Sequence, residues 1–151
     1  MHLLKFLSLT LLLACSAPPL QSAPAKVIKV LPHFLDQQGR HLLHPSLYER
    51  DAYQDYLRKN PAERSGLRFD VQWKGPKNTP FKLRIEMRGV LGKENTSALV
   101  ETAAQRRSWL SQWSSTSLQG EEYKKFGELV AWRATLWDGE KQVGEQKSFL
   151  W

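Results

Sequence analysis

The clearest pattern in the chain is a strict alternation of apolar and polar side chains in two stretches after Gly66. Residues 67–74 read LRFDVQWK and residues 81–88 read FKLRIEMR, with an apolar residue at every odd position. Successive side chains of a β-strand point to opposite faces, so each stretch predicts a strand with one buried and one wet face. Such strands are typical of antiparallel sheets, and the turn-forming residues of the link GPKNTP at 75–80 predict a loop between them.

Weaker patterns predict further strands on both sides of this pair. Residues 26–35 are β-branched and apolar, and Pro32 inside them predicts an edge strand or a strand broken in two. Asp138 and Gly139 predict a hairpin turn between the last two strands. We interpret residues 89–95 as a loop, and the other predicted strands are 40–44 (short), 97–102, 108–118, 129–137 and 142–151.

One segment has the period of a helix. Ser46 and Glu49 form the capping box SLYE, acidic residues come early, basic residues come late, and Asn60-Pro61 ends the pattern. The sequence therefore predicts a helix over residues 46–59, and a shorter helical turn over GEEYKKFG at 120–127. The predicted buried face of the long helix is Tyr48, Ala52, Tyr53, Tyr56 and Leu57.

Seven or eight short strands with one inserted helix indicate a mainly β chain, folded as an antiparallel β-sandwich. The last hairpin, with an aromatic-rich strand, a tight turn and a final strand, resembles the closing strand pair of immunoglobulin-like and fibronectin type III-like domains. That resemblance covers about residues 67–151, concerns architecture alone, and implies an immunoglobulin-like sandwich. The chain lacks the paired cysteines of antibody domains, since Cys15 is its only cysteine.

The first residues have the features of an export signal. Residues 6–14 (FLSLTLLLA) follow Lys5 and are too short to span a bilayer as a helix, which needs about 20 residues. The tetrapeptide Leu12-Leu13-Ala14-Cys15 resembles a bacterial lipobox, which implies that Cys15 carries diacylglycerol. We therefore predict a signal peptide at 1–14, a lipid-anchored tether at 15–25 and a sandwich domain at 26–151. Cleavage after Ala25, giving a soluble secreted or periplasmic protein, is the alternative.

Composition and charge narrow the set of partners. The chain has 22 Lys and Arg against 15 Asp and Glu, a formal charge of +7. For an exported protein this favours anionic lipid or polysaccharide over nucleic acid, which we do not expect as a partner. Lys82, Arg84 and Arg88 share the wet face of one predicted strand with Glu86; a merely solvated face is the alternative interpretation.

Catalytic patterns are weak. The sequence has no G-x-S-x-G elbow and no phosphate-binding loop, and the adjacent Glu121 and Glu122 point apart on a helical turn. His33, His41 and His44 lie within twelve residues, but their spacing outside a helix is weak support for zinc. We therefore expect no enzymatic activity, no cofactor and no metal.

Six tryptophans offer the alternative of a carbohydrate site. Trp73 and Trp132 have strand contexts that indicate core positions. Trp109, Trp113 and Trp137 are the candidates for ligand binding, because exposed aromatic rings stack on sugars, although aromatic strands also form ordinary sandwich cores.

Together these features predict a non-enzymatic binding or interaction module, anchored to a bacterial membrane and facing the periplasm. In this respect the chain resembles small exported bacterial lipoproteins of unknown function. Its expected partner is another envelope protein, bound through a sheet edge or an aromatic patch, or a polysaccharide. A carbohydrate-binding module and a small hydrolase are the two alternatives.

Overall fold

The computed structural model describes residues 25–105 and 111–151, which contain seven strands and two α-helices. The predictions for Cys15, for the signal peptide and for Trp109 lie outside these residues. A single 3-10 turn, Pro61–Glu63, follows the long helix. In chain order the elements are β1 Lys26–Asp36, α1 Leu47–Lys59, β2 Arg64–Lys74, β3 Pro80–Leu91, β4 Glu94–Gln105, β5 Gln112–Gln119, α2 Gly120–Phe126, β6 Glu128–Asp138 and β7 Lys141–Lys147.

The strands form two antiparallel sheets that face each other. The three-stranded sheet has the order β1-β2-β5, and the four-stranded sheet has the order β4-β3-β6-β7. At the two sides of the structure β1 lies against β7 and β5 lies against β4. The predicted mainly β chain is therefore confirmed, and its two-sheet arrangement is that of a β-sandwich.

The core is built from the two alternating stretches. All eight of their apolar residues are buried, none more than 4% exposed. Trp73 lies edge-on to Phe81 with ring centroids 5.6 Å apart, so the inner faces of the two sheets interlock through aromatic rings. Trp132 is partly buried and packs against Phe69 of the opposite sheet, as expected for a core tryptophan.

The prediction of an edge strand at residues 26–35 is confirmed, because β1 pairs with β2 alone within its sheet. The predicted strand at residues 40–44 is wrong. The Asp36 side chain accepts hydrogen bonds from the backbone N–H groups of Gln38 and Arg40, both at 2.9 Å, and so closes a turn there. The chain then runs on to α1 without joining a sheet.

Two other predictions need correction. Residues 89–95 are no loop, because β3 and β4 pair up to Leu91 and Glu94 and leave only Gly92 and Lys93 for the turn. Gly92 has a φ of +64°, which a tight hairpin turn requires. The last strand ends at Lys147 rather than at the C-terminus, since Ser148 bonds to the backbone of Trp132 and the chain turns away there.

The predicted helix is confirmed as α1, with Ser46 as its N-cap accepting from the Glu49 N–H at 3.4 Å. Its predicted buried face is only partly right: Leu57 is fully buried, but Tyr48, Ala52 and Tyr56 are exposed. The C-terminal half of α1 packs on the sheet, and the N-terminal half leaves an open space beside it. The predicted turn at 120–127 is confirmed as α2, which buries Tyr123 and Phe126.

Candidate binding cleft

The space beside α1 is a large concavity. It lies between the outer face of the three-stranded sheet and residues 41–54, and its volume is about 710 Å³. Sites for small molecules typically occupy 300–1,000 Å³ and are lined mostly by apolar side chains with a few polar groups. We call this space the α1 cleft.

The walls of the α1 cleft are apolar. Leu42 and Leu43 line it from the segment that leads into α1, Leu47 lines it from the first position of the helix, and Leu43 is 81% exposed. From the sheet come Leu31 of β1 and Trp113 of β5, whose side chain is 51% exposed. Exposed apolar side chains that converge on one concavity are typical of a binding surface.

The sheet side of the α1 cleft carries a polar cluster around Asp70. One carboxylate oxygen, Oδ2, lies 3.5 Å from His33 Nε2 and 3.7 Å from His41 Nε2. The other, Oδ1, accepts hydrogen bonds from Arg68 Nε at 3.0 Å and from Ser115 Oγ at 2.5 Å. The register of the strands produces this cluster, because β1, β2 and β5 place His33, Arg68 and Ser117 side by side, with Asp70 opposite Ser115.

The charges around this cluster favour neutral imidazoles. Burial lowers the pKa of His33 and of His41, whose rings stack with centroids 5.0 Å apart, and the nearby Arg68 and Arg50 lower both further. Asp70 opposes this effect without reversing it. Burial alone would raise the pKa of Asp70, but the hydrogen bonds from Arg68 and Ser115 hold it below its usual range.

The α1 wall is fastened to the sheet at two places. The Gln54 side chain accepts from the Phe34 N–H at 2.7 Å and donates to the Phe34 carbonyl at 3.1 Å, so an amide pairs with the edge of β1 as a neighbouring strand would. The Tyr53 hydroxyl donates to Asp36 Oδ2 at 2.8 Å. The Gln54 amide thus pairs with the backbone of Phe34, and the Tyr53 hydroxyl adds to the hydrogen bonds that Asp36 accepts from Gln38 and Arg40.

A third fastening holds the end of α1. Arg64 is almost completely buried, donates to the Leu57 carbonyl at 2.5 Å and to the Arg58 carbonyl, and pairs with both oxygens of Glu128 at 2.7 Å. Its guanidinium also lies 4.1 Å from the centroid of the Phe34 ring. A cation at the C-terminus of a helix complements the helix dipole, so Arg64 holds α1, β1 and β6 together.

The candidate tryptophans occupy different places. Trp113 lines the α1 cleft on the three-stranded sheet, whereas Trp137 lies on the outer face of the four-stranded sheet. The ring of Trp137 faces the Arg84 guanidinium at 4.7 Å, and its Nε1 donates to Thr135 Oγ1 at 2.8 Å. Trp113 and Trp137 would therefore contact a ligand at two separate surfaces. Trp109 lies outside the described residues.

The basic face of β3 is largely engaged in contacts within the chain. Arg84 Nε lies 2.7 Å from Glu101 Oε1, and Lys82 Nζ lies 3.7 Å from Glu101 Oε2. Arg88 lies 4.1 Å from the centroid of the Trp151 ring. The Glu101 carboxylate therefore offsets part of the positive charge of this face, and the Trp151 ring covers part of the Arg88 guanidinium.

Of the three histidines considered for metal binding, His33 and His41 come together, whereas His44 is exposed and its Nδ1 accepts from the Ser46 N–H at 3.2 Å. Asp36, which lies between His33 and His41 in the sequence, closes the turn before α1. Within residues 25–105 and 111–151, no group of three or more histidine, cysteine, aspartate and glutamate side chains is arranged to hold a metal ion.

The polar cluster also lacks the order that a nucleophilic triad needs. Ser115 Oγ donates to Asp70, and both histidines face the same carboxylate from its other oxygen. A serine nucleophile needs a histidine as its direct partner, with the carboxylate behind that histidine. Here the Asp70 carboxylate lies between Ser115 and the two histidines, which is not the order of a triad for acyl transfer. The carboxylate instead holds the serine and histidine side chains in fixed orientations.

Sequence patterns indicated parts of the α1 cleft but not the site itself. The helix, Trp113 and the histidines were each singled out, whereas Asp70, Arg68 and Ser115 read as ordinary wet positions of strands. The sequence feature that could have indicated the cleft is the set of Leu42, Leu43 and Leu47, because such apolar residues are unusual in a connection that joins no sheet.

The fold and site together define a two-sheet, mainly β domain with a lateral cleft under an inserted helix. Comparison with protein-family models, with curated proteins and with solved structures finds no match. Among the described residues, no helix is both long and apolar enough to cross a membrane.

Proposed function

We propose that this chain is a non-enzymatic binding module of the bacterial envelope and that the α1 cleft is its binding site. The observation that carries the proposal is the cleft itself, with apolar walls, a polar base and a volume of about 710 Å³. Its base is rigid, because it consists of paired strands and of side chains that bond to one another. A preformed site of this kind reduces the entropy lost on binding.

The strand order supports the finer assignment to an immunoglobulin-like fold. With the seven strands lettered A to G, the sheets read A-B-E and D-C-F-G. The constant-type immunoglobulin order is A-B-E-D and C-F-G. The two differ only in the fourth strand, which here pairs with the third strand instead of the fifth. Fibronectin type III-like domains, which the closing hairpin resembles, share this sandwich architecture.

The location of the protein rests on the N-terminal sequence. We propose that Cys15 carries the lipid anchor and that the sandwich faces the periplasm. More than one acyl chain gives stable anchoring, since each buried methylene contributes about 0.8 kcal/mol. Labelling cells with a fatty-acid analogue tests this: incorporation that is abolished by Cys15→Ser supports the anchor. Incorporation that survives the substitution, or no incorporation, would contradict an anchor at Cys15.

A carbohydrate-binding module is the second candidate, because half-exposed Trp113 stands beside the polar cluster of Asp70, Arg68 and Ser115. An aromatic ring next to hydrogen-bonding groups suits a sugar. Titration with envelope polysaccharide fragments, followed by tryptophan fluorescence, tests this candidate. A response that is lost in Trp113→Ala and kept in Trp137→Ala supports a sugar in the cleft; a response lost only in Trp137→Ala places the sugar on the other sheet.

The main proposal is tested by asking where ligands bind. Purified protein is titrated with a small-molecule extract of the envelope, and NMR shifts are followed at backbone amides and tryptophan indoles. We expect shifts at Leu31, His33 and Ser115, and their loss in a Leu43→Ser variant. Leu150→Ser is the matched control, because Leu150 is also an exposed leucine but lies outside the cleft. Shifts confined to the four-stranded sheet would contradict the proposal.

A further inference from the structure

Some of the charged side chains that line the α1 cleft have an ion-pair partner and others do not. Arg68 is neutralised by Asp70, with its Nη2 at 2.9 Å from the carboxylate. Within the described chain, Arg50 and Lys29 line the cleft without a carboxylate partner within ion-pair distance, and Asp51 is the only other acidic residue of the lining. The cleft therefore has a formal charge of +1 when both histidines are neutral.

Arg50 has a further unsatisfied group. Its Nε is buried and has no hydrogen-bond acceptor among the described residues. A buried donor without an acceptor costs about 1–3 kcal/mol, and more when the donor is charged. Arg50 is close enough to depress the pKa of both His33 and His41, so its charge reaches the cluster at the base of the cleft. A ligand anion in the cleft would lie next to this guanidinium charge, which no carboxylate of the described residues neutralises within ion-pair distance.

The apolar residues indicate the rest of the ligand. Leu31 belongs to β1, Leu43 and Leu47 to the opposite wall, and Trp113 to β5, so the cleft has apolar surface on two strands of the sheet and on the wall that faces them. Along β1 the cleft extends from Lys29 to His33, which is about 13 Å of strand. A small polar anion would leave this apolar surface in water, whereas a chain with an anionic head would cover it.

We propose that the α1 cleft binds a single-chain anionic amphiphile, with a carboxylate head at Arg50 and an apolar chain between Leu31, Leu43 and Trp113. This inference rests on the function proposed above, since it names the ligand of the same cleft. A membrane-tethered protein would meet such molecules at the lipid surface, where fatty acids are released from phospholipids by hydrolysis of an ester bond.

The test compares three probes that share one chain and differ in the head group: laurate, lauryl alcohol and laurylamine, each used below the concentration at which it forms micelles. The full chain carrying Cys15→Ser is used, so that no acyl chain of the anchor competes. Binding is measured by titration calorimetry, and NMR shifts establish its location. We expect laurate to bind at least about tenfold more tightly than lauryl alcohol, equivalent to about 1.4 kcal/mol, and laurylamine to bind most weakly.

Two substitutions on one helix assign the preference to Arg50. Arg50→Gln should abolish the difference between laurate and lauryl alcohol, because it removes the charge and keeps a polar side chain. Arg58→Gln should leave the difference unchanged, since Arg58 is exposed on the same helix and lies outside the cleft. A preference for laurate that survives Arg50→Gln would overturn the inference, as would equal affinity for all three probes.

Failure of the inference can be separated from failure of the proposed function. If the probes leave the cleft residues unshifted while a polysaccharide or peptide shifts them, the amphiphile is wrong and the cleft remains the binding site. If neither the probes nor the envelope extract shifts residues of the cleft, both proposals fail.

Discussion

At the scale of single residues, buried polar side chains hold this structure together more than surface ion pairs do. The Arg64 side chain is 1% exposed and joins two carbonyls of α1 to the carboxylate of Glu128, whereas the Arg58 side chain lies at the surface and is 3.5 Å from Asp55 Oδ1. Exposed pairs of the second kind contribute at most about 1 kcal/mol. Removing one partner of a buried pair costs more, because the groups left behind lose their hydrogen bonds.

This contrast gives a first prediction. Arg64→Met should lower the free energy of unfolding by about 2–4 kcal/mol, since Met fills similar volume but leaves the helix carbonyls without donors. Arg58→Met is the control and should change it by less than about 0.5 kcal/mol. Urea denaturation of both variants, followed by circular dichroism, measures the difference. Equal midpoints would show that Arg64 does not secure α1.

A second prediction concerns the hydroxyl of Tyr53, which donates to the carboxylate of Asp36. Tyr53→Phe removes only that oxygen and should cost about 1.5–3 kcal/mol, the usual range for a hydrogen bond to a charged group. Tyr56→Phe, on the same helix, is the control, because the described residues show no partner for its hydroxyl and its side chain is 49% exposed. Thermal unfolding of the two variants decides: a similar loss in both would contradict the assigned role of Tyr53.

At the scale of elements, the sequence predicted best where one physical requirement dominated. The alternation in β2 and β3 correctly assigned their eight alternating apolar residues to the core, because a strand whose one face packs on another layer must bury that face. The capping box located the start of α1 for a similar reason, since the first N–H groups of a helix need acceptors.

Prediction failed where a side chain redirects the backbone or where the partners come from distant parts of the chain. Residues 40–44 have the composition of a strand, but the turn at Asp36 directs them away from any sheet edge. The exposed face of α1 could not be foreseen either, because Gln54 and Tyr53 hold the helix at the end of β1 and leave its N-terminal half over open space. The polar cluster around Asp70 exists only once three strands are in register.

A third prediction belongs to the connection between α2 and β6. Gly127 has a φ of +79°, and a Cβ there would overlap the Val90 carbonyl, so Gly127→Ala should destabilise the protein by about 2–4 kcal/mol. Gly92 shares the positive φ but has open space around it, so Gly92→Ala should cost only about 1–2 kcal/mol. Denaturant midpoints compare the two. A loss at Gly92 that equals the loss at Gly127 would show that backbone strain alone sets the cost.

At the scale of the whole molecule, the sandwich separates stability from binding. The inner faces of the two sheets hold the core, and the outer face of the three-stranded sheet carries the α1 cleft. Substitutions at exposed cleft residues such as Leu43 can therefore change binding with little effect on folding. His33, His41 and Asp70 are the exception, because they are partly buried and their pKa values are shifted in the folded state.

The last prediction is that the protein loses stability as the pH falls below neutrality. Burial depresses the pKa of His33 and of His41 in the folded state, so between the folded values and the unfolded value of about 6.5 the unfolded chain binds more protons. Stability must then rise with pH through this window, by at most about 1.4 kcal/mol per pH unit for each histidine. Above this pH window the imidazoles are neutral in the folded and the unfolded state, so they no longer make the stability depend on pH.

The carboxylates act in the same direction at lower pH. Burial favours the protonated forms of Asp36 and Asp70, but their hydrogen bonds prevail and depress both pKa values, so the stability that they contribute is lost as the pH falls below about 4. Two separate losses of stability are therefore expected on acidification.

Urea unfolding from about pH 7.5 to pH 5 isolates the loss that is due to the histidines. His33→Asn with His41→Asn should flatten the slope there, and His44→Asn is the control because His44 lies outside the cluster. A slope that the double variant leaves unchanged would show that the cluster around Asp70 does not set the response to pH.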